Sequence, residues 1–205
     1  MPSGAWINMP HAPTVVIDVG HGGTDLGARN HQPYCEEKKL CLSTARLVRK
    51  HLEQLGYHVV MTRQTDSFIP LPQRVEIAKQ AQGNIFVSIH YNSSRNQEPE
   101  GVEVFFYESS ENQNRTFASK KLANSILTSV IQKTMATSRG VKKGNFHVIR
   151  ETKMPAVLVE GGFISNEKER ALLKTHNYQD KIARGIADGV HHYFKTRWKL
   201  ATTKK

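Results

Sequence analysis

Apolar and polar positions along the chain follow two periods, and the switches between them mark the expected elements. Thr14–Val19 is a run of β-branched residues that predicts a buried strand, broken off by Gly20, His21, Gly22 and Gly23. From Glu36 to about Leu55 the apolar residues Leu40, Leu47, Val48, Leu52 and Leu55 keep a helical stripe, and Gly56 ends it. A strand is expected at 57–62, and a helix from Pro70 or Pro72 to Ala81. The apolar run 84–89 predicts a strand that leads into His90, Tyr91 and Asn92, and 102–107 predicts another. A polar linker at 108–115 precedes an amphipathic helix at 116–135, carried by Phe117, Leu122, Ile126, Leu127, Val130 and Ile131. A basic turn between Gly140 and Gly144 and a short strand at 146–150 come next. The run 156–159 is a further strand that ends in Glu160, Gly161 and Gly162. Ser165 is the expected cap of a helix rich in Glu and Lys, and 179–194 forms the last helix. The stretch 24–34 is expected to be loop.

Strand, loop, helix and strand in this order predict parallel pairing with right-handed crossovers. The expected fold is α/β: a single domain with a mostly parallel, twisted sheet of about six strands flanked by helices. A flexible segment is expected at 1–13, the folded domain at 14–195 and a basic tail at 196–205.

Composition changes this picture in one respect. With 205 residues, 38% hydrophobic and 23% charged, the chain is an ordinary globular domain, but its formal net charge is +11. Such an excess suits polyanionic surroundings: nucleic acid, anionic lipid or an anionic wall polymer. No RNA- or DNA-binding motif is legible, so nucleic acid is not an expected partner. No apolar run reaches membrane-spanning length, and the start, MPSGAWINMPHAP, has no visible signal-peptide pattern. Cys35 and Cys41 make no disulfide framework and read as free thiols.

The candidate chemistry lies at strand ends. In open, mostly parallel sheets ligands bind outside the carboxyl ends of the strands. Three buried runs deliver His21, His90 and Glu160 there. Two imidazoles and a carboxylate suit a zinc ion, and a further carboxylate is needed to receive a proton from water. Glu36 and Glu37, at the start of the first helix, are both candidates for the additional acid. Glu160 is the hardest to explain otherwise, because an acid closing the run AVLV faces an apolar interior unless it is paired. The remaining histidines, His11, His31, His51, His58, His147, His176, His191 and His192, read as ordinary surface or core residues. Arg63 and Arg74 read as partners in structural ion pairs.

The motifs carry a resemblance. IDVGHGGTDLGA (17–28), EKKLCLSTA (37–45), GYHVVMTRQTD (56–66), LPQR (71–74), FVSIHYNS (86–93), GVEVFFY (101–107) and PAVLVEGGFISN (155–166) occur in the order seen in the zinc-dependent N-acetylmuramoyl-L-alanine amidases of the amidase_3 type. The resemblance covers about residues 14–194. It implies hydrolysis of the amide between the lactyl group of N-acetylmuramic acid and the L-alanine of the peptidoglycan stem peptide, in wall remodelling, daughter-cell separation or recycling. It implies one Zn2+ held by His21, Glu37 and His90, with Glu160 as catalytic acid/base and peptidoglycan or muropeptides as partner. It also implies work in the periplasm or cell envelope, where a signal peptide would have been removed. Asn92 is a candidate for positioning substrate. The chain departs from the family pattern at Val19, where Pro is usual, and at Gly161, where a larger residue is usual. Some relatives carry a helical insertion that blocks the zinc. The stretch between Asn92 and Gly101 is too short for one, so activity without an activator protein is expected. Two rivals remain. Ser165-x-x-Lys168 and Ser94-x-Asn96 resemble elements of serine-type D,D-carboxypeptidases, and the positive charge would equally serve a binding module for wall polymer.

Overall fold

The computed structural model describes residues 12–31 and 34–202. Strand β1 (Thr14–Val19) leads through a glycine turn to a small hairpin, β2 (Arg29–His31) and β3 (Tyr34–Glu36), and then to helix α1 (Glu37–Gln54). Next come β4 (His58–Met61), α2 (Leu71–Gln80), β5 (Ile85–Asn92), β6 (Val102–Phe106) and α3 (Gln113–Thr134). The chain continues through β7 (Ser138–Lys143), α4 (His147–Glu151), β8 (Ala156–Phe163), α5 (Glu167–Leu173) and α6 (His176–Thr202). The principal sheet has six strands in the order β4-β1-β5-β8-β6-β7. β1 pairs in parallel with β4 and β5, and β5 with β8; β6 runs antiparallel to β8, and β7 parallel to β6. The α/β class and the mostly parallel sheet are as expected.

Alternation along the strands divides the core. Val15, Ile17 and Val19 of β1 join Val87, Ile89, Val157 and Val159 in the larger core beneath α1, α3 and α6. The opposite face buries Val16, Phe86 and Leu158 against Ala78 of α2 and Val148 and Ile149 of α4. On this second face the apolar residues give way to polar ones toward the carboxyl ends: Val16 is followed by Asp18, Phe86 by Ser88 and His90, and Leu158 by Glu160. The strand pattern therefore builds its own polar edge above a dry floor.

Several elements differ from the sequence reading. The expected strand at 146–150 is the one-turn helix α4, with Val148 and Ile149 inward; a run this short fits either period. The basic turn around Gly140 is the edge strand β7, whose sequence SRGVKK is charged enough to discourage pairing with other chains. The expected loop at 24–34 contains β2 and half of the hairpin with β3. α3 begins within the expected linker, because the Asn112 side chain caps it by accepting the Arg115 amide at 2.9 Å. Asn166, not Ser165, caps α5 by accepting the Glu169 amide at 3.1 Å. α6 continues to Thr202, through most of the expected basic tail. Of the expected N-terminal segment, residues 1–11 lie outside the described residues. No described helix is long and apolar enough to cross a membrane.

α3 and α6 pack at close range over two glycines. A Cβ on Gly185 would lie 2.5 Å from the Cα of Val130, and one on Gly189 would lie 2.5 Å from the Cα of Ile126. The Ser125 hydroxyl donates to the Gly189 carbonyl at 2.7 Å across this contact. In a free helix Gly→Ala gains about 1 kcal/mol, whereas overpacking against backbone costs about 1–3 kcal/mol. Because the atoms met are backbone and cannot swing aside, the cost falls in the upper part of that range, and Gly189→Ala is expected to lower stability by about 1–2 kcal/mol, a drop of roughly 2–8 °C in Tm for a domain of this size. Thermal unfolding of the variant checks this, and an unchanged or raised Tm contradicts it.

Candidate active site

The site begins with a buried anion under the glycine turn. Asp18, 1% exposed, accepts from the Thr62 hydroxyl at 2.9 Å, the Ser88 hydroxyl at 2.7 Å and Arg74 Nη1 at 3.0 Å. Arg74 also donates to the Val19 carbonyl at 2.5 Å and to the His21 carbonyl at 2.8 Å. Arg63 donates to the carbonyls of Val19 (3.2 Å), Gly20 (2.6 Å) and Lys38 (2.9 Å). Consecutive carbonyls of the turn are thus held by two guanidinium groups. Arg74 makes the expected ion pair, with Asp18. Arg63 differs from expectation: its bonds go to main-chain oxygens.

This scaffold presents His21 in the left-handed region, at φ 57°, a strained conformation for a residue with a side chain. Nδ1 of His21 lies 2.9 Å from Asp25 Oδ2, which aims Nε2 at Glu37 Oε1, 3.0 Å away. Asp25 plays the orienting part that carboxylates play behind metal-binding imidazoles. The sequence reading missed it, although it stands four residues beyond His21 in the same turn. Small residues clear the space: a Cβ on Gly20 would lie 2.6 Å from the His90 ring, and one on Gly27 would lie 2.6 Å from both His21 and Glu37.

Glu37 opens α1 and is fixed on all sides. Its Oε2 accepts the Ala28 amide at 2.8 Å, and its Oε1 accepts the Tyr91 amide at 3.1 Å and lies 2.9 Å from His90 Nδ1. Burial acts to raise its pKa, but the two imidazoles outweigh this and hold the carboxyl far below the usual range. For His21, burial favours the neutral ring, yet Glu37 and Asp25 together raise its pKa. Glu36, the alternative acid, faces away. It pairs with Lys39 Nζ at 2.8 Å and accepts from the Tyr34 hydroxyl.

Ligand atoms of His21, Glu37 and His90 all lie within 4.8 Å of one another, and this is the metal-capable group found among the described residues. Two imidazole nitrogens and a carboxylate oxygen converging from three elements, with two glycines excluding bulk beside them, fit a zinc-type ion. Glu160 sits beside the group, its Cα in register with that of His90 on β5 and of Glu103 on β6. Its Oε2 is buried without a hydrogen-bond partner. Burial, followed by the nearby Glu37 and Glu103 carboxylates, pushes its pKa well above the ordinary carboxylate value. A buried carboxyl displaced in this direction beside a metal-capable group is a candidate for proton transfer.

Other candidates fall outside this constellation. Asn92 donates to Glu103 Oε1 at 2.7 Å and accepts the Ser93 amide at 2.8 Å, so its side chain is engaged by its neighbours. Ser165 is buried, and its hydroxyl accepts the Ser94 amide at 3.0 Å, a structural task that brings no base to it. His51 lies 2.6 Å from Asp180 between α1 and α6, and His191 lies 3.0 Å from the Tyr57 hydroxyl. Cys35 and Cys41 are free and buried, as expected, and burial raises both thiol pKa values. The stretch 93–100 contains no helix or strand.

Comparison with known proteins agrees with this geometry. The chain is 32% identical over 184 residues to the probable cell wall amidase LytH of Staphylococcus epidermidis, a match that takes in 89% of this chain and 59% of LytH. It thus spans somewhat over half the length of that relative. The catalytic domain of CwlV, an N-acetylmuramoyl-L-alanine amidase from Bacillus (Paenibacillus) polymyxa var. colistinus, superimposes with a TM-score of 0.82 at 43% identity, covering 89% of this chain and 98% of that one. The N-acetylmuramoyl-L-alanine amidase from Clostridium difficile 630 does so with a TM-score of 0.85 at 33% identity, covering 90% and 98%. The family model for N-acetylmuramoyl-L-alanine amidase, Amidase_3, matches residues 15–192, and the chain belongs to that family.

Proposed function

We propose that the protein is a zinc-dependent amidase that hydrolyses the bond between the lactyl group of N-acetylmuramic acid and the L-alanine of the peptidoglycan stem peptide. The observation that carries this reading is the convergence of His21, Glu37 and His90 beside the buried, unpartnered carboxyl oxygen of Glu160. A bound zinc ion supplies Lewis acidity to the scissile carbonyl and lowers the pKa of its water to about 7.

The chain's own residues do the rest. His21, Glu37 and His90 would hold the ion, and Asp25 fixes the His21 tautomer by accepting a hydrogen bond from Nδ1–H, which leaves Nε2 free to ligate. Glu160 takes a proton from the attacking water and delivers it to the departing alanine nitrogen. Burial and the neighbouring carboxylates raise its proton affinity above that of an ordinary carboxylate, the direction a proton acceptor of this kind needs. Asn92 contributes through Glu103, whose Oε1 it holds, rather than by meeting substrate with a free amide. The +11 net charge suits an anionic wall, and the family's wall substrate puts the work at the cell envelope.

Expected outcomes on activity, and then on metal affinity, test the proposal. Glu160→Gln is expected to bind zinc like the parent protein and to release stem peptide from a defined muramyl-peptide on the order of 10²–10⁴-fold more slowly, read by mass spectrometry. The parent protein is expected to work without any added activator, since stretch 93–100 holds no blocking helix. Loss of only a terminal D-alanine, or activity that survives both chelation and Glu160→Gln, contradicts the assignment. A further outcome concerns metal affinity. Protons compete with the metal for His21, whose pKa is raised above the ordinary 6.5. Zinc affinity, measured against a chromophoric chelator, is therefore expected to fall as pH drops and to begin falling above pH 6.5. A flat affinity between pH 8 and about pH 6 would contradict the assigned ligand set.

A further inference from the structure

The amidase reading leaves unexplained a second buried acid and the two cations gathered on it. Glu103, 4% exposed, stands on β6 in register with Glu160. Its Oε1 is taken by Asn92. Its Oε2 receives both Arg139 Nε at 3.1 Å and Lys142 Nζ at 2.5 Å, from the edge strand β7. Arg139 is held further by the Glu100 carbonyl at 3.3 Å and by the face of the Phe163 ring, 4.9 Å from its guanidinium carbon. The two other acids near Arg139 are occupied. Glu100 accepts the Thr137 hydroxyl at 3.2 Å, and Glu169 accepts the amides of Gly101 and Phe163 at 3.0 and 2.7 Å.

Glu103 is thus met by two cations where its single charge needs one. Asn92 and Arg139 alone satisfy both of its oxygens, so the Lys142 ammonium can be lent to a ligand without leaving a buried charge bare. Lys142 is also the more exposed of the two cations, at 40%, against 33% for Arg139, and its four-carbon stem can swing. A structural ion pair alone requires one cation here.

The place matters as much as the charge. Across the sheet the order β1-β5-β8-β6-β7 sets out His21, His90, Glu160, Glu103 and then Arg139 with Lys142. Glu160 has the histidine-bearing strand ends on one side and β6 and β7 on the other, so a substrate laid straight across the sheet with its acyl group over the histidines carries its peptide over β6 and β7. Strands lie about 4.8 Å apart, and an extended peptide advances about 3.5 Å per residue. The cations stand one to two strand spacings beyond Glu160, which is where the residue after the alanine falls.

We propose that Lys142, with Arg139 as its fixed companion, forms a carboxylate-binding subsite that selects stem peptides carrying a free carboxylate on the residue following the L-alanine. The inference rests on the amidase reading and adds to it a polarity for the substrate: acyl group over the histidines, acidic peptide over β7. An exchangeable, half-exposed ion pair is worth about 1 kcal/mol, or roughly a factor of five. The wild type is expected to prefer a muramyl-tripeptide with that carboxylate free over the same compound with it amidated by about fivefold in kcat/KM, expressed in KM.

The test compares both compounds on the wild type and Lys142→Met, whose side chain keeps the apolar length. The acid-to-amide ratio is expected to collapse to near unity, with the larger loss falling on the acidic substrate. Binding of the free tripeptides, acid and amide, to zinc-loaded Glu160→Gln and Glu160→Gln/Lys142→Met proteins is measured alongside by calorimetry. That readout needs no turnover. If the wild type hydrolyses neither compound yet binds the acid preferentially through Lys142, the amidase reading fails and the subsite stands. Equal loss on both substrates, an unchanged acid-to-amide ratio, or equal binding of the two tripeptides overturns the subsite.

Discussion

The buried carboxylate of Asp18 is the constraint on which the rest of the site depends. It lies one residue before the end of β1 and gathers Thr62 from beyond β4, Ser88 from β5 and Arg74 from α2. A buried ion pair is weak evidence of stability but a strong device for specificity, because its partners must all be in place before the charge is tolerable. Here the partner Arg74 also grips the carbonyls of Val19 and His21. One anion therefore ties the sheet's carboxyl edge, helix α2 and the strained His21 turn into one unit. Disturbing it would leave His21 without the backbone that aims it.

Above that base, the site separates two kinds of carboxylate by environment alone. Glu37 is ringed by imidazoles and main-chain amides and stays ionised, as a ligand must. Glu160 has an unpartnered oxygen and two acidic neighbours and holds its proton more tightly. The same functional group thus meets opposite surroundings at two places in one site, as the proposed division into metal ligand and proton carrier requires. Pairs of acids driven apart in this way are a common means of dividing acid and base roles at neutral pH.

Much of this was legible in the chain, and the reasons are physical. Apolar β-branched runs that end in an ionisable residue and glycine mark strand ends, and three such ends located His21, His90 and Glu160 without any contact being known. The choice between Glu36 and Glu37 cannot be made from residue pattern, since both stand at the start of one helix; the resemblance to a family favours Glu37, and the hairpin β2-β3 turns Glu36 away from the histidines toward Tyr34 and Lys39. Glu103 and Arg139 escape the sequence reading because their roles depend on which strands become neighbours, and β7 does not read as a strand at all; Asp25 is local, but only the left-handed turn at His21 brings it onto that ring. Its sequence SRGVKK has almost no apolar content, as an edge strand can afford. The short run around Val148 and Ile149 failed in the opposite sense: two adjacent apolar residues suit a strand or one turn of helix, and only packing against α2 decides.

The two thiols carry a consequence for where such a domain can operate. Cys35 lies in the hairpin and Cys41 on α1, each buried, and burial keeps both in the protonated form that attacks disulfides and oxidants poorly. The chain closes no loop with sulfur and draws its stability from two apolar cores instead. Folded, it has no bridge for a reductant to cut, and its two thiols are buried away from an oxidant. The vulnerable interval is the one before folding is complete, when both sulfurs are exposed.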